Sequence, residues 1–314
     1  MTRNLYPFYL AAGISFLFLV FFFILSALGL IQSEENGYLI GEASRWCERV
    51  SGGIFREPVN TLSNLGFMIV GLFLFWVLCN DPKNSNNPFI GINPISILYA
   101  SVVIYLGPGS MLMHATNTEW GGWADNLSMI MYIILPWLFN IYNMSKWSIN
   151  KFLITYISIV VIYSIWRWFT DFELGINFNL FGVSIGLWVI SEVLYKFWSP
   201  TFRILSGFVG FIVLMLFGTM PNEVFENFNE YWWVILFWLP AVLSNGKPKH
   251  SRTYKWFILG MISYLSAFAI WLTGVPDHEL CSPDSIIQAH GIWHLLTALA
   301  TYFFFLHYRS VKTI

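Results

Sequence analysis

ISILYASVVIYLGPGSMLMHATNTEWGGWADNLSMIMYIILPWLFNIYN, residues 95–143, decides the fold. Two apolar runs, 95–116 and 124–143, flank the polar turn NTEWGG at 117–122. Each run is close to the roughly 20 residues that carry an α-helix across a bilayer core. The stretch therefore reads as two antiparallel spans joined by a short turn. It also carries groups that hydrocarbon does not welcome: Ser110 and His114 close the first run, and Asp125 opens the second.

The rest of the chain extends that reading. Of 314 residues, 57% are hydrophobic and 11% charged, and the mean hydropathy is +0.62. A soluble domain carries about 25% charged residues, so the expected fold is an all-α, multi-pass integral membrane bundle with no nucleic-acid partner. About ten spans are expected, near 8–30, 59–79, 95–116, 124–143, 151–169, 178–197, 203–220, 231–245, 254–273 and 287–308. Their short connections leave room for a single transmembrane domain over 1–314, in which 1–30 is an extra amino-terminal anchor too long for a secretory h-region.

Laying the loops alternately on two sides sorts the charges. Twelve of the sixteen basic residues, including Arg3, Lys83, Lys146, Lys249 and Lys312, fall on the amino-terminal side, and fifteen of the seventeen acids on the other. The positive-inside rule then places both termini in the cytoplasm. The two acids that break the sorting are Asp81 in an inner loop and Glu192, four residues before Lys196 and so placed for local pairing. Cys47 and Cys281 both fall on the outer side, where disulfides are permitted; a pair or two free thiols would each satisfy the sequence.

His290 and His294 are one helical turn apart, so both imidazoles project from one face about 6 Å apart along the axis. One helix can give two ligands to one metal at that spacing. Ser110 and His114 repeat the interval, and the alternation of spans brings Ser110, His114, Asp125, His290 and His294 to the same outer depth. Singly, each has a bland explanation. A serine in a membrane helix bonds back to the carbonyl four residues earlier, and a carboxylate near the interface costs little. Their coincidence at one depth is what the bland reading leaves out.

Three histidines with an open fourth position suit one catalytic zinc ion rather than a closed structural site. Zinc lowers the pKa of bound water toward about 7. Asp125 would take the water's proton and pass it to a leaving amine, and Ser110 would stabilise the oxyanion or orient the carboxylate. Gly107, Pro108 and Gly109 are expected to loosen the helix so that Ser110 and His114 aim inward.

Three segments, WCERVSGGIFREPVNTLSNLGF (46–67), GPGSMLMHATNTEWGGWADNLSM (107–129) and QAHGIWHLLTALATY (288–302), resemble the signature regions of alkaline ceramidases. These belong to a superfamily of seven-helix membrane hydrolases that also includes the progestin and adipoQ receptors. The eleven residues from His114 to Asp125 match that family's histidine-to-aspartate step. The resemblance covers 46–314 and implies a seven-helix hydrolase-like core with extra helices in the middle. It further implies zinc on His114, His290 and His294, catalysis by Asp125 and Ser110, and a Cys47–Cys281 disulfide. Calcium in the first loop is implied as well, on a set including Trp46, Glu48 and Glu57. There the sequence departs from the family: Arg45 replaces an aspartate and Val50 an asparagine. Glu57, Asn60, Ser63 and Asn64 read as supporting groups rather than catalysts.

The expected function is zinc-dependent cleavage of ceramide or a related N-acyl membrane lipid into an amine lipid and a fatty acid, on the non-cytoplasmic side. A zinc-containing receptor or sensor with little turnover and a proton-coupled transporter are the alternatives.

Overall fold

The computed structural model describes residues 4–31, 38–82, 85–171, 173–248 and 250–310, with the backbone of 312–313. Among the topology-sorting residues named above, Arg3, Lys83 and Lys249, and the side chain of Lys312, lie outside this set. The described chain is almost wholly helical. In order it forms α1 (Tyr6–Ala27), α2 (Pro58–Ser63), α3 (Leu65–Asn80), α4 (Pro94–Thr116), α5 (Glu119–Met144), α6 (Ile149–Phe169) and α7 (Leu180–Lys196). There follow α8 (Pro200–Leu205), α9 (Val209–Leu216), α10 (Pro221–Glu226), α11 (Leu239–Leu243), α12 (Tyr254–Trp271) and α13 (Ala289–Arg309). Two-residue strands β1 (His250–Ser251) and β2 (Lys312–Thr313) form the one sheet among the described residues.

Among the described residues, seven helices are long and apolar enough to cross a membrane: α1, α2 with α3 as Pro58–Asn80, α4, α5 as Glu119–Asn143, α6, α12 and α13. The other three expected spans are shorter or broken. The span near 178–197 is the 17-residue α7. The one near 203–220 is split by a 3₁₀ turn at Ser206–Phe208 and stopped by Gly218, which has φ +87° and sits past α9. A left-handed glycine there is a usual helix stop. The last, near 231–245, begins as a 3₁₀ turn (Trp232–Trp238) and becomes α11 only at Leu239, with Pro240 in its first turn. Proline is tolerated at that position because the N–H it lacks has no helical partner there.

Two compact units divide the chain: Met1–Ser128 with Arg252–Val311, and Met129–Ser251 with Lys312–Ile314. In the second unit, Trp232 donates its indole N–H to the Ile176 carbonyl (3.2 Å) at one end. At the other end Arg203 donates to the Ser244 carbonyl (3.1 Å) and the Tyr195 hydroxyl to the His250 carbonyl (2.8 Å). So α7 and Trp232–Leu243 run between the same two ends. Inside this unit Glu192 accepts from Asn140 Nδ2 at 2.8 Å, a partner on a different helix from Lys196.

The first unit holds every proposed site residue. Outward faces of its helices are apolar, as with Ile14, Phe16, Leu17 and Phe21 of α1, whereas Asn60, Asn64, His114 and His294 are buried. That distribution suits a chain surrounded by lipid, where polar groups must find partners inside the protein. On the inward side of α1, Phe22 stacks on Phe55 at 5.5 Å, within a core that includes Met68 and Met111. Far from the histidines, Arg309 at the end of α13 donates to both oxygens of Asp81 (2.6 and 2.7 Å). Asn87 caps the same helix end by donating to the Tyr308 and Arg309 carbonyls.

Candidate metal centre

His114 lies in the last turn of α4, and His290 and His294 in the first two turns of α13. They are 1%, 6% and 3% exposed, and one nitrogen from each lies within 4.8 Å of the others. The Nε2 atoms of His114 and His290 are 3.1 Å apart. Helix α4 runs unbroken from Pro94 to Thr116 with Pro108 inside it, so the Gly-Pro-Gly segment does not loosen it as expected. It permits close approach instead. A Cβ on Gly109 would fall 2.5 Å from Ser128 Cβ and 2.9 Å from the Ala124 carbonyl oxygen, and one on Gly121 would fall 2.8 Å from the Leu112 carbonyl. The first turns of α5 thus lie directly against α4. Asn117, left-handed at φ 50°, ends α4, and α5 starts two residues later. This tight reversal sets Asp125 beside the end of α4, where the Ser110 hydroxyl hydrogen-bonds its carboxylate and His114 lies within electrostatic range. Ser110 Oγ is also 3.4 Å from His294 Nε2.

The protons on two of the rings follow from their neighbours. Glu57 Oε2 lies 2.7 Å from His114 Nδ1 and also accepts from Asn60 Nδ2 at 2.9 Å. A carboxylate accepts only, so Nδ1 of His114 carries the hydrogen, and in the neutral ring Nε2 presents a lone pair. Ser63 donates its one hydroxyl hydrogen to the Asn60 carbonyl (2.9 Å), so at 2.8 Å from His294 Nδ1 it accepts, and His294 Nε2 is also a lone pair. Two lone pairs are therefore aimed into a space bordered by a third imidazole, whose own Nδ1 is buried without a partner among the described residues. A divalent cation with a preference for nitrogen donors fits this set, and the outward ties on Nδ1 are the usual support for histidine ligands.

The first loop is built differently. Both oxygens of Glu48 accept backbone N–H groups at the start of α2, Oε1 from Val59 (2.6 Å) and Oε2 from Asn60 (2.8 Å). Burial pushes the Glu48 carboxyl above its ordinary value, against those two bonds. Glu57 faces His114. Val50, fully buried, offers only carbon, and Arg45 is a cation. These residues do not fit a calcium ion, which takes six to eight oxygens.

Other contacts shape the same loop. Cys47 and Cys281 are disulfide-bonded with Cα atoms 5.7 Å apart. Next to that bond, Arg49 holds Asp284 through two bonds of 2.5 and 2.7 Å and donates its backbone N–H to the Pro283 carbonyl (2.9 Å). Trp46 stacks on His290, ring centroids 4.4 Å apart, with Arg45 4.8 Å from its ring. The structure thus brings together Ser110, His114, Asp125, His290 and His294, with Glu57 one bond and Trp46 one ring away. Glu48 and Asn60 lie behind them. Sequence did not single out the Arg49–Asp284 pair: its members are 235 residues apart and no spacing links them.

The sequence profile of the Ceramidase family matches residues 43–314. No curated protein matches the chain.

Proposed function

The chain belongs to the Ceramidase family, and from that membership and the geometry of the histidine centre we propose that it is a zinc-dependent membrane amidase. Its substrate is ceramide or a related N-acyl lipid, cleaved to an amine lipid and a free fatty acid. The observation that carries the reading is the convergence of one nitrogen each from His114, His290 and His294 beside the Asp125 carboxylate.

Zinc held by His114, His290 and His294 would supply a Lewis acid and an acidified water at neutral pH. The remaining work falls to side chains. Asp125 receives the proton of the attacking water and delivers it to the amide nitrogen as the C–N bond breaks. Ser110 holds the Asp125 carboxylate in line, and its hydroxyl becomes a donor to the substrate oxygen once that proton has moved. Glu57 and Ser63 keep His114 and His294 in the tautomer that faces inward, and the Trp46 ring fixes the plane of His290.

The proposed topology has ten traverses, both termini in the cytoplasm and the centre near the opposite face. The end-to-end contacts of α7 and Trp232–Leu243 support counting the short middle segments as traverses. Residues 46–314 then form the hydrolase region of one transmembrane domain, with α1 as an added anchor. The test is to incubate purified, zinc-loaded protein with a panel of N-acyl lipids and follow fatty acid release by mass spectrometry. Release that D125N abolishes supports the amidase; no release from any lipid favours a sensor with little turnover.

A further inference from the structure

The proposed topology puts four arginines on the side of the histidine centre: Arg45, Arg49, Arg56 and Arg167. Three are occupied. Arg49 is clamped to Asp284, Arg56 is buried and donates to the Ser51 carbonyl (3.3 Å), and Arg167 donates to the Thr170 carbonyl (2.8 Å). Arg45 is exposed. Among the described residues it has no carboxylate or carbonyl acceptor, and its guanidinium lies 4.8 Å from the Trp46 ring centroid. The neighbouring ring contact is Trp46 with His290, at 4.4 Å and nearly parallel. Two contacts therefore link an exposed, unneutralised cation to a proposed metal ligand. The charge of Arg45 also acts on His290 electrostatically.

This cation is pre-positioned. Resting on an indole removes much of the rotamer freedom of a long side chain and leaves its N–H groups free to face outward. The disulfide at Cys47 and the Arg49–Asp284 clamp fix the backbone two and four residues on. In a sequence region otherwise dominated by acids, an uncommitted guanidinium at this place is suited to an anion that arrives with the substrate. Guanidinium matches planar carboxylate and tetrahedral phosphate or sulfonate oxygens through paired hydrogen bonds.

We infer that Arg45 is a specificity-determining residue that binds an anionic group on the amine half of the substrate, so that the preferred substrates are N-acyl lipids with a charged head group. The assignment rests on the amidase reading and names the substrate class for the same centre. It is decided by matched lipids that share acyl chain and amide and differ in head group: a neutral ceramide, its phosphate ester and an N-acyl amino acid. Fatty acid release by the zinc-loaded full chain gives kcat/KM for each, and direct titration in detergent gives Kd for the same lipids.

The wild type is expected to favour the anionic members by about tenfold, the size of one hydrogen-bonded charge contact. The preference should shrink as salt is raised, vanish in R45A and invert in R45E. Inorganic phosphate and free fatty acid serve as competitors. If either relieves the preference at the concentration at which the anionic lipid binds, the anion recognised is free phosphate or the product carboxylate, and the head-group assignment is overturned. An equal ratio for wild type, R45A and R45E overturns it as well. If no lipid is hydrolysed, the amidase reading fails on its own, and the Kd ratios alone decide Arg45.

Discussion

The histidine centre and the first loop are both buried, polar and within bonding distance of each other, yet they are built on opposite plans. At the centre, Nδ1 of His114 and of His294 is tied outward to Glu57 and Ser63, and the Nε2 lone pairs are left facing inward. In the loop, the Glu48 oxygens are already taken by the N–H groups of Val59 and Asn60. Burying a polar group does not make a ligand. What marks one is a lone pair that the fold leaves unspent and aims at others, and the carboxylates of the loop serve instead to hold a helix end and an imidazole.

Breaking the centre should have the largest effect. H114A, H290A or H294A is expected to remove bound zinc and abolish amide hydrolysis; metal analysis and fatty acid release on the same sample check it. Next comes D125N, expected to retain zinc and lose about 10²- to 10⁴-fold in kcat, the range for a general acid–base group. Retained metal with lost turnover separates a proton carrier from a ligand.

The supports sharpen the comparison. S63A and E57Q should weaken zinc affinity by about 10- to 100-fold, read by competition with a chromogenic chelator, with S63A removing the acceptor that fixes the His294 tautomer. Adding calcium to the zinc-loaded protein should change neither activity nor thermal stability. Breaking the Cys47–Cys281 bond by C47S with C281S should cost about 2–4 kcal/mol of stability, measured by denaturant titration in detergent.

The smallest effect concerns Glu48. Its carboxyl is raised above the ordinary 4.5, so between that value and the raised one the folded state holds the proton more tightly than the unfolded state. Stability then falls as pH rises through that window. E48Q should flatten the slope, as seen in melting temperatures measured upward in pH from the ordinary carboxylate range.

Hydropathy made α1, α4, α5, α6, α12 and α13 legible, because each is a long apolar run with turn residues at its ends. Residues 203–220 and 231–245 already read as short, but where they break was not legible, since Gly207, Gly218 and Pro240 act on local geometry without changing average hydrophobicity. The five residues of the proposed centre were legible from helical spacing and span alternation together. Their support was less so. Glu57 reaching His114 and Trp46 covering His290 depend on how a loop folds over helix ends. Gly109 was misread as a flexible point, when its use is to let Ser128 and Ala124 come close.

The most direct measurement of the central claim is zinc content per chain alongside fatty acid release for wild type and a variant with His114, His290 and His294 all replaced by alanine. One zinc per active wild-type chain and neither zinc nor turnover in the variant is the predicted result. Zinc retained by the triple variant, or full hydrolysis by zinc-free wild type, would contradict it.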